Sequence, residues 1–252
     1  MSGSNSQLDT SGSALEAYLL GVVDFEVCLE IQQRLVFELS GRDDGQIGLL
    51  ICEHPPLVTI GRGGSAAHLR LDSKELISRK LSVRWVNRGG GCLMHLPGQL
   101  AVYPIVPLQW HGFSVGDYLN RLQQGVLSAL AEIGLKGTTR PDAHGVWGRS
   151  GQLAAVGAAV KNWTTYHGVF INVGPSIHPF RFVESDPEGG TLMSSLTVER
   201  QQPIRIAKMR EAVARNLSHA FGCEKTHLYS GRPLLESLAR PESDHEAAAR
   251  AG

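Results

Sequence analysis

Apolar residues recur along this chain with the period of a helix or of a strand, and the switches between the two periods mark out its elements. From Asp24 onward Cys28, Ile31, Leu35 and Leu39 return at helical spacing until Gly41, which predicts an amphipathic helix. Residues 47–52 are continuously apolar and short, the pattern of a strand buried on both faces, and Pro55-Pro56 closes it. A second strand is expected over 57–60. Alternation over 81–87, a glycine interruption, and apolar runs at 92–94 and 99–105 describe strands meeting at a bend. Ser114 with Asp117 three residues on forms a capping pattern, and Val115, Leu119, Leu122, Val126, Leu130 and Ile133 follow at helical spacing up to Gly134. Three Gly-punctuated runs at 145–147, 152–160 and 167–173 read as consecutive strands, and a last helix is expected over 206–221, stopped by Gly222. Strands and helices do not alternate strictly and no internal repeat is visible. The order therefore predicts an α/β domain of the mixed α+β kind, a central mixed sheet with flanking helices, rather than a doubly wound fold.

Composition narrows the setting. A chain of 252 residues that is 42% apolar can bury a full core. Residues 1–14 are Ser/Gly-rich and 231–252 are rich in Ala and charge, so both ends are expected to be disordered around one domain at 15–230. Lys plus Arg equals Asp plus Glu at 24 each, so no global field recommends nucleic acid or an anionic membrane as partner. Cys28, Cys52, Cys92 and Cys223 lack metal-ligand spacing and read as reduced thiols of a cytoplasmic protein. The first residues carry neither a basic start nor an apolar run, and no stretch approaches transmembrane length. Neither HExxH nor CxxC occurs, so no dedicated metal site is expected, and Gly-x-Ser-x-Gly is missing as well.

The sharpest feature is Arg88-Gly-Gly-Gly-Cys-Leu-Met-His95-Leu-Pro-Gly-Gln99. Three consecutive glycines lose much backbone freedom on folding, so close approach of backbone to a ligand or a tight sheet corner should compensate them. On the first reading, exposed amides of Gly89, Gly90 and Gly91 and the Arg88 guanidinium hold the polar end of an acyl donor, its oxygen accepting their hydrogen bonds. The glycine order does not fit a dinucleotide fingerprint, and no Lys-Ser/Thr follows to make a phosphate loop. His95 and His167 each read either as a general base or as a structural imidazole.

Taken together, several segments resemble the octanoyltransferase family, relatives of the lipoate and biotin ligases. They are Leu20-Gly-Val-Val-Asp-Phe25, Glu53-His-Pro-Pro-Leu-Val-Thr-Ile-Gly-Arg62, Arg88-Gly-Gly with His95-x-Pro-Gly-Gln99 and Tyr103-Pro104, Gly145-Val-Trp147, Ala155-Val-Gly157, and His167-Gly168 with Asn172. The resemblance spans roughly residues 19–228. It implies a biotin/lipoate-ligase catalytic fold with a tunnel for a medium-length acyl chain. The donor would be octanoyl-acyl carrier protein. The acceptors would be lysines on apo lipoyl domains, as in 2-oxoacid dehydrogenase acyltransferase subunits or the glycine cleavage H protein, served by a monomer without resident cofactor. Carried over position by position, the substrate wall would comprise Arg88, Gly89, Gly90, Gly91, Cys92, Leu93, Met94, His95, Ala155, Val156, Gly157, Gly168, Val169 and Phe170.

In that family a cysteine attacks the thioester and a lysine favours its thiolate. By register from Ala155-Val-Gly157 the lysine's place holds Gln152. Register from His167-Gly168 and from Ser194-Ser-Leu196 puts the cysteine's place at or beside Asp186, within Glu184-Ser-Asp-Pro187. Leu93 stands where the family has threonine. A carboxylate is a weak nucleophile toward a thioester and would give a labile mixed anhydride, which leaves three readings. Asp186 acts as general base for direct attack by the acceptor lysine, with the Gln152 amide on the acyl oxygen. Alternatively, Cys92 serves as a relocated nucleophile, against the plain reading of a small core residue. Thirdly, the chain is an inactive relative that binds lipoyl domains or acyl groups. A ligase using free lipoate and a nucleotide is disfavoured by Gln152 and by the missing phosphate loop. Lys161 reads as a relocated activator or as an exposed strand-end charge. Trp147, Trp163 and Tyr166 are tunnel or core aromatics, and an inward-pointing Phe170 would shorten the pocket.

Overall fold

The computed structural model describes residues 13–185 and 192–230. Seven strands form a mixed sheet and three form a smaller one. Chain order runs β1 (Ala14–Val22), α1 (Phe25–Ser40), β2 (Ile47–Glu53), β3 (Leu57–Ile60), α2 (Ser73–Ser78), β4 (Ser82–Trp85), β5 (Cys92–His95) and β6 (Gln99–Ile105). It continues with α3 (Leu108–His111), α4 (Val115–Glu132), β7 (Gly145–Gly148), β8 (Gly151–Lys161), β9 (Thr164–Asn172), α5 (Leu196–Arg200), α6 (Ile206–Phe221) and β10 (Lys225–Ser230). The large sheet has the order β10-β1-β2-β6-β9-β8-β7 and the small one β4-β3-β5. The tail expected over 231–252 lies outside the described residues, as does most of the N-terminal segment, although Ala14 already belongs to β1.

Local chemistry explains the helix ends. Asp24 caps α1 by accepting from the amides of Glu26 and Val27, and Gly41 closes it. Ser114 and Asp117 form the reciprocal box at the start of α4. Gly222 takes the left-handed conformation that ends α6.

Strand alternation divides the core into two faces. On one face of the large sheet, Leu49, Ile51, Leu100, Val102, Ala154, Val169 and Ile171 pack against α4 and α6. Leu50, Cys52, Ala101, Tyr103, Ala155 and Phe170 pack on the opposite face, under Cys28, Ile31 and Leu35 of α1. The small sheet makes a third cluster, with Val58, Ile60, Cys92 and Met94 against Phe180, Val183 and Met193. Among the described residues no helix is long and apolar enough to cross a membrane.

Candidate active site

The glycine run is the corner joining β4 to β5, and it is clasped from two sides. After β3 the amides of Gly61, Arg62 and Gly63 donate to the carbonyls of Gly91, Arg88 and Gly90 at 3.0–3.1 Å, and Gly89 donates to the Ala158 carbonyl on β8 at 2.9 Å. Contact between corner and strand is backbone on backbone. A Cβ added at Gly157 would lie 2.7 Å from the Gly89 carbonyl oxygen, and one at Gly91 would lie 2.6 Å from that of Ser185. Gly90 sits at φ +82°, a region that side-chain-bearing residues rarely adopt. Close approach of Ser185 thus answers for Gly91 and the left-handed backbone for Gly90, whereas a Cβ at Gly89 would make only ordinary contacts, at 3.7 Å or more.

Between this corner, the far half of β8 and the first turns of α4 lies a cavity of about 820 Å³. Leu93, Val115, Leu119, Trp147 and residues 155–160 give it apolar walls, and exposed Arg62, Asp142 and His144 bring charge and an imidazole to it. An apolar recess with a few convergent polar groups is the usual form of a small-ligand site. Gln152 reaches the same cavity from the start of β8. Its main chain is bonded to Leu192 and Ser194, and its Nε2 donates to the Ala154 carbonyl at 3.3 Å. Ser185 lines the wall with its carbonyl turned toward Gly91. Asp186, the next residue, lies outside the described residues.

Below the cavity the motifs of the resemblance are joined into one chain of hydrogen bonds. Arg88 Nη2 donates to Thr59 Oγ1 at 2.7 Å, leaving that hydroxyl to donate to His95 Nε2 at 2.8 Å. On the other side of the ring His95 Nδ1 donates to Gln99 Oε1 at 2.9 Å, since a carbonyl oxygen can only accept. Gln99 Nε2 then donates to Asn172 Oδ1, Asn172 Nδ2 to the Ser194 carbonyl, and Ser194 Oγ to Ser150 Oγ. The relay runs from the glycine corner to the segment paired with Gln152. It fixes His95 as the neutral Nδ1–H tautomer with both nitrogens engaged. Burial, with the positive Arg88 nearby, also holds its pKa well below the usual imidazole range. These bonds give His95 a positioning role rather than that of a free base.

Arg88 is likewise a brace. Its guanidinium is buried, donates to the Thr59 and Gly89 carbonyls as well as to Thr59 Oγ1, and is pulled down to about 10 by desolvation, still protonated near neutrality. His167 sits on β9 at φ +56°, and burial together with the positive Arg88 and Arg62 lowers it to about 3. It is not among the residues of the cavity wall.

Several expected wall residues are placed elsewhere, and strand geometry gives the reason. On β5, Leu93 faces the cavity, so its neighbours Cys92 and Met94 point to the opposite side and into the small-sheet cluster. The Cys92 thiol donates to the Ser65 carbonyl at 3.4 Å, and burial raises its pKa, which is unhelpful to a nucleophile. Gly168 packs flat against β6, where a Cβ would meet the Val102 carbonyl at 2.3 Å. Val169 lies on the α4 face. Phe170 is paired with Ala101 on one side and Ala155 on the other, its ring 4.6 Å from that of His95. It therefore fills the space behind the wall residues Leu93 and Ala155 instead of lining the cavity. Of the three aromatics weighed for a tunnel, only Trp147 is on the wall; Tyr166 is in the core and Trp163 is exposed. Lys161 is exposed at the end of β8. Sequence reasoning missed Arg62, Val115, Leu119, the 142–144 loop, residues 158–160 and Ser185 as wall residues.

The two-sheet fold is that of lipoate ligases of known structure. The structure superposes on the crystal structure of lipoate-protein ligase A bound with ATP with a TM-score of 0.73 over 91% of this chain and 92% of that one, at 15% identity. In sequence, residues 24–220 match the family model "Lipoyl protein ligase A/B catalytic domain", and the chain belongs to that family. It is 31% identical over 238 residues to the octanoyltransferase of Roseiflexus sp. (strain RS-1), covering 92% of this chain and 98% of that protein. Against the octanoyltransferase of Syntrophotalea carbinolica identity is 34% over 194 residues, 77% of this chain and 88% of the relative.

Proposed function

We propose that this protein is an octanoyltransferase that moves a medium-chain acyl group from acyl carrier protein to the lysine of a lipoyl domain, in a single direct step. One observation carries the reading: Gly91 of the glycine corner, Gln152, and Ser185, which precedes Asp186 in sequence, line a common cavity. The octanoyltransferase relatives, aligned over most of their length, support an enzyme over a non-catalytic binder.

In this mechanism the thioester carbonyl lies at the corner, where backbone N–H groups and the Gln152 amide receive the developing oxyanion. Asp186 removes a proton from the acceptor lysine, whose amine is otherwise held as ammonium near neutral pH. The freed amine adds to the carbonyl carbon; as the oxyanion collapses the C–S bond breaks, the second nitrogen proton passes to the departing sulfur so that the carrier leaves as its thiol, and Asp186 returns its proton to solvent. No acyl-enzyme is formed. A monomer acting on lipoyl domains of 2-oxoacid dehydrogenases and on the glycine cleavage H protein completes the proposal.

Replacing the base tests it. Asp186→Ala and Asp186→Asn should lower octanoyl transfer by roughly 10²–10⁴-fold, the usual contribution of a positioned general base. Turnover at the parental rate in both variants would remove Asp186 from the mechanism.

A further inference from the structure

On the α1 face of the sheet, away from the cavity, three soft ligands converge from separate elements. Cys28 comes from α1, Cys52 from β2 and His54 from the turn that follows. The two Sγ atoms are 3.8 Å apart, Cys52 Sγ is 3.6 Å from His54 Nε2, and all three ligand atoms lie within 4.8 Å of one another. A tetrahedral zinc site, with bonds of about 2.3 Å to sulfur and about 2.0 Å to nitrogen, spaces its ligand atoms roughly 3.5–3.8 Å apart. Two of the three spacings already have that value.

The imidazole is also presented in the tautomer that a metal requires. His54 Nδ1 donates to the Val23 carbonyl at 2.8 Å, which leaves Nε2 with a lone pair on the side of the thiols. Orientation of a ligating histidine through its other nitrogen is how metal sites are built from outside. With Nδ1 as the donor, Nε2 accepts from the Tyr103 hydroxyl at 2.6 Å, a bond that a cation would replace, and the Gln32 amide is 3.8 Å from Cys28 Sγ. All of these side chains are buried. Charge decides which ion such a place can hold. Two thiolates, one neutral imidazole and one divalent cation sum to zero, so the complete unit can sit in an apolar core, whereas thiolates without the cation could not.

We infer that Cys28, Cys52 and His54 form a structural site for a thiophilic divalent cation of the zinc class, taken up as the chain folds and fastening α1 to β2. Cys52 and His54 stand two residues apart, but Cys28 is separated from them by a whole helix-to-strand connection, so no recognised ligand spacing announces the site. The site is independent of the proposed acyl transfer.

The full-length chain should be unfolded, refolded with zinc, passed over a chelating resin, and analysed for metal by mass spectrometry. One zinc per folded chain is expected. The Cys28→Ala/Cys52→Val double variant, whose side chains suit an apolar core, should fold with the parental circular dichroism and carry none, while Cys223→Ser keeps its zinc. Refolding with cobalt should give thiolate-to-cobalt charge-transfer absorption that the double variant lacks. A folded parental chain free of zinc and cobalt, equal metal in the double variant, or a Cys28–Cys52 disulfide in protein from a reducing cytosol would each overturn the site.

Discussion

Substituting Gly157 by alanine probes the contact that positions the corner. The added Cβ would lie 2.7 Å from the Gly89 carbonyl oxygen and 3.1 Å from Arg88 Cδ. Restoring an ordinary separation of about 3.4 Å requires a displacement of roughly 0.7 Å, because main chain faces main chain and neither side has a flexible end to yield. That movement loosens the 2.9 Å bond from Gly89 to Ala158 and displaces the amides that would meet the thioester oxygen. Overpacking of this kind costs about 1–3 kcal/mol. In a domain of this size it corresponds to a fall in Tm of roughly 2–12 °C. Displacing reacting groups by about 1 Å can cost about 100-fold in rate, so kcat/KM for octanoyl transfer should fall by more than the stability loss explains. Differential scanning fluorimetry and the transfer assay are read on the same preparations. Gly116→Ala serves as control, because its Cβ would meet only Ser114 Oγ, at 3.6 Å. Parental Tm and parental rate in Gly157→Ala would refute the argument that strand β8 sets the corner.

Three other outcomes follow from the same structure. Glu199 is buried, which alone would raise its pKa, but bonds from the Ser150 and Arg149 amides and the Arg149 side chain outweigh burial and hold it at about 2. A carboxylate depressed in the folded state contributes its stability above its unfolded pKa and loses it as pH falls from about 4.5 toward 2; roughly 1–3 kcal/mol should disappear across that window in acid-unfolding curves and be missing from Glu199→Gln. Phe170→Leu should open space behind Leu93 and Ala155 and shift the preferred donor toward longer acyl chains, and an unchanged chain-length profile in a folded variant would remove Phe170 as the limit. Rebuilding the family pair with Asp186→Cys and Gln152→Lys together should create an acyl-enzyme visible as an octanoyl mass on this chain; failure of a folded double variant to become acylated would count against the register that assigns these positions.

Where local periodicity and capping decide structure, the sequence was readable. Asp24 with Gly41, Ser114 with Asp117, and Gly222 placed the ends of α1, α4 and α6, and the continuous apolar run gave β2. Strand β1 gave no signal because Ala14-Leu-Glu-Ala-Tyr is rich in helix formers and its register shifts between Leu19 and Gly21. Polar, exposed β10 escaped because edge strands need no apolar face. At the site, the glycine corner, Gln152 and residues 155–157 could be read from motifs, whereas Val115, Leu119 and the 142–144 loop reach the cavity only through long-range packing. Parity along β5 was the decisive missing fact. Once Leu93 faces the cavity, Cys92 must face away, and no local pattern told the two apart. The role of His95 was equally invisible until Thr59 and Gln99, distant from each other in sequence, occupied its two nitrogens.

The central claim, direct transfer without a covalent intermediate, is tested by incubating the purified chain with octanoyl-acyl carrier protein and an apo lipoyl domain and weighing both proteins by mass spectrometry over the time course. An octanoyl mass on the lipoyl domain alone, at every time point, is the predicted result. A matching mass on this chain that appears before the acceptor is modified and decays as it is would contradict the account.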